Sequence, residues 1–166
     1  MIFADLASGA EVFLDANTFV YHFAPDPLYG ADSNALLERI ERQDVRGVTS
    51  THVLTEFAHR LMTIEAVSLF GWPQTGIAYR LRKHAGEIRK LSVFKNSIEA
   101  VLKSKVSVLA IAPPSIALAA SISQQSGLLS NDALLVAVMQ LHGIANLASN
   151  DSDFDRVPAI VRFAPH

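Results

Sequence analysis

Val12-Phe13-Leu14-Asp15-Ala16-Asn17-Thr18-Phe19-Val20-Tyr21 is the stretch on which the fold turns. A three-residue apolar run stops at an acid, and a helix is expected to begin just after it, over residues 17–23. A short continuous apolar run bounded in this way reads as a strand buried on both faces. Its end then delivers the Asp15 carboxylate to the rim of whatever sheet the strand joins.

The same grammar recurs outward from this point. Residues 46–49 predict a second strand, and Ser50-Thr51 offers the N-cap of a helix over 51–62. Val53, Leu54, Phe57, Ala58, Leu61 and Met62 make that helix's buried face. A third strand is expected over 107–111, bounded by Pro113-Pro114, a fourth over 145–148 and a short fifth over 160–163. Helices are expected over 32–43, 77–90, 97–105, 115–126 and 133–141, the last stopping at His142-Gly143. Pro25-Asp26-Pro27 and Gly71-Trp72-Pro73 are the clearest breaks. Strands alternating with helices imply right-handed crossovers and a mostly parallel sheet of four or five strands, an α/β class.

At 166 residues the chain is expected to form one domain, 1–166, with its core over about 12–163. A chain of this size buries roughly 70% of its unfolded surface. Half its residues are apolar, yet the longest apolar runs are far too short to span a bilayer. Met1 to Ala10 contains Asp5 and lacks a basic leader, so no secretory signal is expected. Cysteine is absent, which excludes disulfides and cysteine zinc sites and agrees with a cytoplasmic setting. The six histidines form no HExxH or other tight ligand pair.

Four acids stand where a metal-dependent site needs them: Asp15, Glu56, Asp132 and Asp151. Asp15 and Asp151 follow apolar strands, Asp132 stands just before the run 133–141, and Glu56 lies inside the helix 51–62. In an open parallel sheet the functional crevice forms outside the carboxyl ends of the strands. Packed carboxylates repel one another unless protons or a cation relieve them. Oxygen donors of this kind suit Mg²⁺ or Mn²⁺ rather than zinc. Asp15, Asp132 and Asp151 are therefore the expected metal ligands, with Glu56 binding metal or orienting water.

Each acid also has a plainer explanation. Asp15 reads equally as an N-cap or turn residue, and Asp132 as a helix-dipole partner. Glu56 lies one turn before Arg60, the spacing of an ordinary surface ion pair. Asp153 competes with Asp151 for the last position and reads as a supporting or turn residue. Asn17 is expected to hydrogen-bond Asp15 or cap the first helix, and Ser149 to orient ligands or simply end a strand. His52 and His59 read as surface or border residues.

The formal charge of −2 hides an asymmetry. Residues 80–105 carry eight Lys/Arg against Glu87 and Glu99, a net +6, which leaves −8 elsewhere. A basic arm beside an acidic pocket suits an enzyme acting on a polyanion. Arg80, Arg82, Lys83 and Arg89 are the candidate RNA-phosphate contacts, the alternative being a solvated helix face. Tyr21, Trp72 and Tyr79 are aromatics able either to stack on bases or to pack internally.

Residues 13–21 resemble the opening strand and helix of PIN-domain ribonucleases. Leu128-Leu129-Ser130-Asn131-Asp132-Ala133-Leu134-Leu135-Val136-Ala137 is similar to their third acidic motif, and Ala148-Ser149-Asn150-Asp151-Ser152-Asp153-Phe154 to their final strand-end motif. Thr51 to Arg60, with Glu56, fits the helix bearing their second acid. Within that family the likeness is to VapC, the toxin half of VapBC toxin–antitoxin pairs. The resemblance implies a three-layer α/β/α fold and Mg²⁺- or Mn²⁺-dependent endoribonuclease activity leaving 5′-phosphate and 3′-hydroxyl ends. It further implies a VapB-like antitoxin and a homodimer. The competing expectations are a non-catalytic PIN-like interaction module, an RNA-processing nuclease and a structure-specific DNA nuclease. A haloacid-dehalogenase-type phosphatase ordinarily wants a second Asp where this chain has Asn17.

Overall fold

In the computed structural model, which describes residues 1–166, the opening stretch does what its pattern dictates. Glu11–Leu14 forms β1, and the chain enters α1 (Ala16–Phe23) at once. There follow α2 (Gly30–Glu41), β2 (Arg46–Ser50), α3 (Thr51–Phe70), α4 (Ile77–Lys83), α5 (Ala85–Ile88) and α6 (Val93–Lys103). The last third comprises β3 (Ser107–Leu109), α7 (Pro113–Ser126), α8 (Ser130–Leu141), β4 (Asn146–Ala148) and β5 (Val161–Phe163). Short 3-10 turns occupy Phe3–Asp5 and Ser152–Arg156.

All five strands are parallel, in the order β3-β2-β1-β4-β5. β1 is central, and Val12, Phe13 and Leu14 are fully buried, which explains a continuous apolar run where an exposed face would have imposed alternation. From β1 the chain steps outward through β2 to β3, then returns across the sheet to β4. With right-handed crossovers, that reversal puts α7 and α8 on the face opposite the helices joining β1 to β3. The packing agrees: α7 pairs with α8, while α1, α2, α3 and α6 pack among themselves.

The main core joins Phe13, Leu14, Phe19, Phe57, Leu135, Met139 and Leu147 around the sheet. At Gly47 the sheet and α2 approach so closely that an added Cβ would lie 2.7 Å from Cδ1 of Ile40. A second, smaller cluster (Ala66, Ile77, Leu81 and Leu91, with Phe70 and Trp72 against it) forms a lobe on the far half of α3.

Several element boundaries differ from the sequence expectation. α3 runs on to Phe70, ending at Gly71 in the left-handed region with φ 63°. The helix expected over 77–90 breaks at His84, whose φ −125° and ψ 64° are not helical. Pro113 begins α7, filling the first-turn positions where a missing N–H costs nothing. α8 starts at Ser130, so Asp132 lies inside its first turn rather than just before it.

Candidate functional site

The strand order reverses between β1 and β4, and the crevice outside their carboxyl ends is where an open α/β sheet places ligands. Polar bonds pin this rim. Asp15 N–H donates to the Ala148 carbonyl at 3.1 Å, and Ser149 N–H to that of Phe163 at 3.0 Å. The hydroxyls of Thr18 and Thr49 donate to the carbonyls of Ala148 and Leu14, each at 3.0 Å. All four groups are buried, so these bonds satisfy backbone oxygens that would otherwise be stranded.

Asp15 is buried behind that rim. Its carboxylate accepts from Ala16 N–H at 2.6 Å, from the Asn17 amide at 3.2 Å and from the Ser149 hydroxyl at 2.7 Å. Burial pushes its pKa up and outweighs the hydrogen bonds from Ser149 and Ala16; Glu56 adds to the rise and Arg60 opposes it. Asn17 therefore serves Asp15 directly, while Asp15 itself caps α1. Ser149 bridges two of the acids, since its Oγ also accepts the Asp151 N–H at 3.0 Å.

Asp132 projects from the first turn of α8 and makes no cap bond. Its pKa is pushed up to about 6, first by burial and then by the charges of Asp151, Asp15, Glu56 and Asp153. Those contributions place Asp15, Glu56, Asp151 and Asp153 within electrostatic reach of Asp132. Asp151 caps the following 3-10 turn by accepting Asp153 N–H at 2.9 Å, and Asp153 pairs with Arg156 at 2.9 Å.

Glu56 forms the expected i,i+4 ion pair, Arg60 Nη2 to Glu56 Oε1 at 2.8 Å. A second contact was not foreseeable from the residues alone: Arg60 Nη1 also donates to the Asn17 side-chain oxygen. A spacing of 43 residues separates those partners, beyond any local pattern. Likewise unforeseen, the Asn150 amide donates to the Tyr21 hydroxyl at 3.0 Å, and Tyr21 packs against Tyr29 with ring centres 5.0 Å apart. His59 is exposed, whereas His52 is half-buried with its Nε2 lacking a hydrogen-bond partner.

Whether these residues suit a divalent cation is a question of charge and donor type. Four carboxylates crowd one crevice, supply only hard oxygen donors and leave Asp132 with a strongly raised pKa, all of which favour such an ion. As the side chains stand, no three acids or histidines close around a common point. Binding therefore requires side-chain rotation, with Glu56 starting from its pair with Arg60.

The four basic candidates lie on or beside α4 and α5, and none pairs with a pocket acid. Arg80, Arg82 and Lys83 are on α4 and Arg89 follows α5; none has an ion-pair partner. Lys90, Lys95 and Lys103, by contrast, pair with Glu87 or Glu99. Arg80 lies 5.8 Å from the Trp72 ring centre and Lys83 5.5 Å from that of Tyr79, which is 63% exposed and so not a core residue. A cavity of about 480 Å³ is lined by Phe19, His22, Phe23, Leu37 and Val101 among others and contains none of the four acids.

The model of the family described as PIN domain matches residues 12–160. No curated protein matches the chain by sequence. Among solved structures, VapBC2 from Rickettsia felis bound to a promoter DNA fragment aligns with TM-score 0.59 at 15% identity, covering 94% of this chain and 99% of that one. Mycobacterium tuberculosis VapC20, described as a sarcin-ricin loop cleaving toxin, aligns with TM-score 0.59 at 18% identity, covering 89% and 95%. VapBC-1 from nontypeable Haemophilus influenzae aligns with TM-score 0.52 at 17% identity, covering 93% and 97%. At these identities the likeness is one of fold.

Proposed function

The chain belongs to the PIN-domain family, and on that premise we propose that it is a metal-dependent endoribonuclease, the toxin of a toxin–antitoxin pair. The observation that carries the proposal is the acidic crevice itself, in which burial and four neighbouring carboxylates push Asp132 up to about 6. Carboxylates gathered at such a cost to their own ionisation are suited to holding Mg²⁺ or Mn²⁺. Asp15, Asp132 and Asp151 would hold the ion. When bound, it supplies a lowered water pKa and neutralises charge on the phosphodiester.

The rest of the chemistry falls to the chain. Asn17 and Ser149 fix the Asp15 carboxylate by hydrogen bonds at 3.2 and 2.7 Å. Ser149 carries that order to Asp151 through its backbone N–H. Glu56 faces the same crevice and either binds the ion or orients the attacking water. By the likeness to PIN-domain ribonucleases, the water-activated cut is assigned 5′-phosphate and 3′-hydroxyl ends. The unpaired cations Arg80, Arg82, Lys83 and Arg89 are assigned to the RNA backbone, with Tyr79 exposed for stacking.

A VapB-like antitoxin, silencing the pocket with a basic side chain, and a homodimeric assembly complete the proposal. The relatives in complex with antitoxins share this fold, which supports that partnership. No helix is long and apolar enough to cross a membrane.

The test is incubation of purified, partner-free protein with total RNA and Mg²⁺ or Mn²⁺, beside EDTA, matched DNA and Asp132→Asn controls. Discrete 5′-phosphate ends, lost with EDTA and with Asp132→Asn, are expected. Cleavage that survives both controls would remove the acidic crevice from the chemistry, and preferential cutting of DNA would reassign the substrate.

A further inference from the structure

Arg60 is the only basic residue within ion-pair distance of any of the four pocket acids, and it reaches Glu56 alone. Asp15, Asp132 and Asp151 have no such partner; Arg156 and Arg162, further along the rim, are paired with Asp153 and Asp155. The one contact ion pair to a pocket acid is thus on the α3 side; on the β4 side Arg162, held by Asp155 and donating to the Ser149 carbonyl at 3.3 Å, adds positive charge near Asp151 without pairing with it.

The pair is more than a helix-surface contact. An isolated i,i+4 Glu–Arg pair contributes little and leaves both side chains mobile. Here one arm of the guanidinium holds Glu56 at 2.8 Å while the other donates to Asn17 on α1. That second bond decides how the Asn17 amide lies. Its oxygen faces the guanidinium, so its NH₂ must face the carboxylate of Asp15, at 3.2 Å. Arg60 therefore orders Glu56 directly and Asp15 through the amide. A guanidinium does not lose its proton at any ordinary pH, so this charge leaves only if the side chain swings away.

We propose that Arg60 is a built-in cation of the acidic pocket, standing beside Glu56 where a second divalent ion would otherwise bind. The inference rests on the nuclease proposal. An ion entering among Asp15, Asp132 and Asp151 meets three carboxylates that have no basic group in direct contact. A second ion beside Glu56 would meet a fixed positive charge and a carboxylate already engaged. The chain accordingly binds one divalent ion, with Arg60 as a positioning residue that supplies the other positive centre.

Counting bound Mn²⁺ on the full chain, from loss of the free-ion signal in electron paramagnetic resonance, tests this without reference to turnover. The unaltered protein is expected to bind one ion. Arg60→Gln is expected to bind two, and Arg60→Lys, which keeps the charge, to remain at one. Adding Glu56→Gln to Arg60→Gln is expected to return the count to one, locating the extra ion beside Glu56. Circular dichroism and the melting temperature verify that each variant is folded. Two ions on the unaltered protein, or one on Arg60→Gln, would overturn the role of Arg60 while leaving the nuclease proposal intact. No ion on the unaltered protein would sink both.

Discussion

Asp132 and Asp15 show how a single side chain registers its surroundings. In the absence of metal, Asp132 has a folded-state pKa of about 6, above the roughly 3.9 of an unfolded chain. The folded protein therefore binds more protons than the unfolded one between those values, and its stability falls as pH rises through that window. Above it the full penalty applies; below it none remains. Asp132 is partly open to solvent, so the penalty is discounted to on the order of 1 kcal/mol. In EDTA, Asp132→Asn should thus raise the melting temperature at pH 7.5 and leave it almost unchanged near pH 4. A gain independent of pH would show that the crowding of charge is not its source. Asp15→Asn should abolish cleavage, by more than the roughly 10–100-fold that loss of an outer-sphere partner costs a metal site. Folding should change by only about 1 kcal/mol, since relief of a buried charge offsets disturbed hydrogen bonds from Ala16, Asn17 and Ser149. Full activity in that variant, measured on the RNA cut by the parent, would remove Asp15 from the site.

Elements carry these residues to the crevice, and their ends decide how well. Ser50 caps α3: its Oγ accepts the Val53 N–H at 3.3 Å, and the residue is buried. Ser50→Ala should cost about 1 kcal/mol, read as a lower midpoint in urea. Because Glu56 lies less than two turns along α3, cleavage should fall beyond what the lost folded fraction explains; a loss matching that fraction alone would separate the cap from the site. The cap was legible in Ser50-Thr51 because N-capping is local chemistry. β1 and its acid were legible for the same reason, as were the order of strands and helices and even the short β5. Helix lengths were less so. Nothing local marks Met62 as mid-helix, and α3 continues to Phe70 because Ala66 finds the separate cluster of Ile77, Leu81 and Leu91 to pack on. The position of Asp132 was misjudged by one boundary, since Leu129 precedes α8 without a capping side chain. The Arg60–Asn17 and Asn150–Tyr21 contacts were illegible because they join elements whose proximity only the folded sheet creates.

At the scale of the whole molecule, α3 links two opposite electrostatic regions. Glu56 near its start faces the acidic crevice, and Phe70 at its end supports the lobe bearing Arg80, Arg82, Lys83 and Arg89. At 1.5 Å per residue those two positions lie roughly 20 Å apart along the helix. In the proposed nuclease, that separation would let a polyanion be held by cations that do not neutralise the acids assigned to the scissile bond. The basic arm seen in the sequence divides by local helix spacing. Lys90, Lys95 and Lys103 are engaged by Glu87 and Glu99, whereas the α4 cations, two of them over aromatic rings, remain free to meet phosphates. Each phosphate contact releases counterions and steepens the fall of affinity with salt, by about 0.7 per contact on a single strand. Replacing Arg80, Arg82 and Lys83 together with Gln should therefore weaken RNA binding at low salt and flatten the log–log salt slope by about 2. Fluorescence anisotropy of a labelled single-stranded RNA in EDTA reads this without cleavage. Metal binding at the crevice should be unaltered in the same variant, because no α4 cation pairs with a pocket acid. An unchanged salt slope would mean that RNA reaches the acids by another face, and the cations of α4 would then be only a solvated surface.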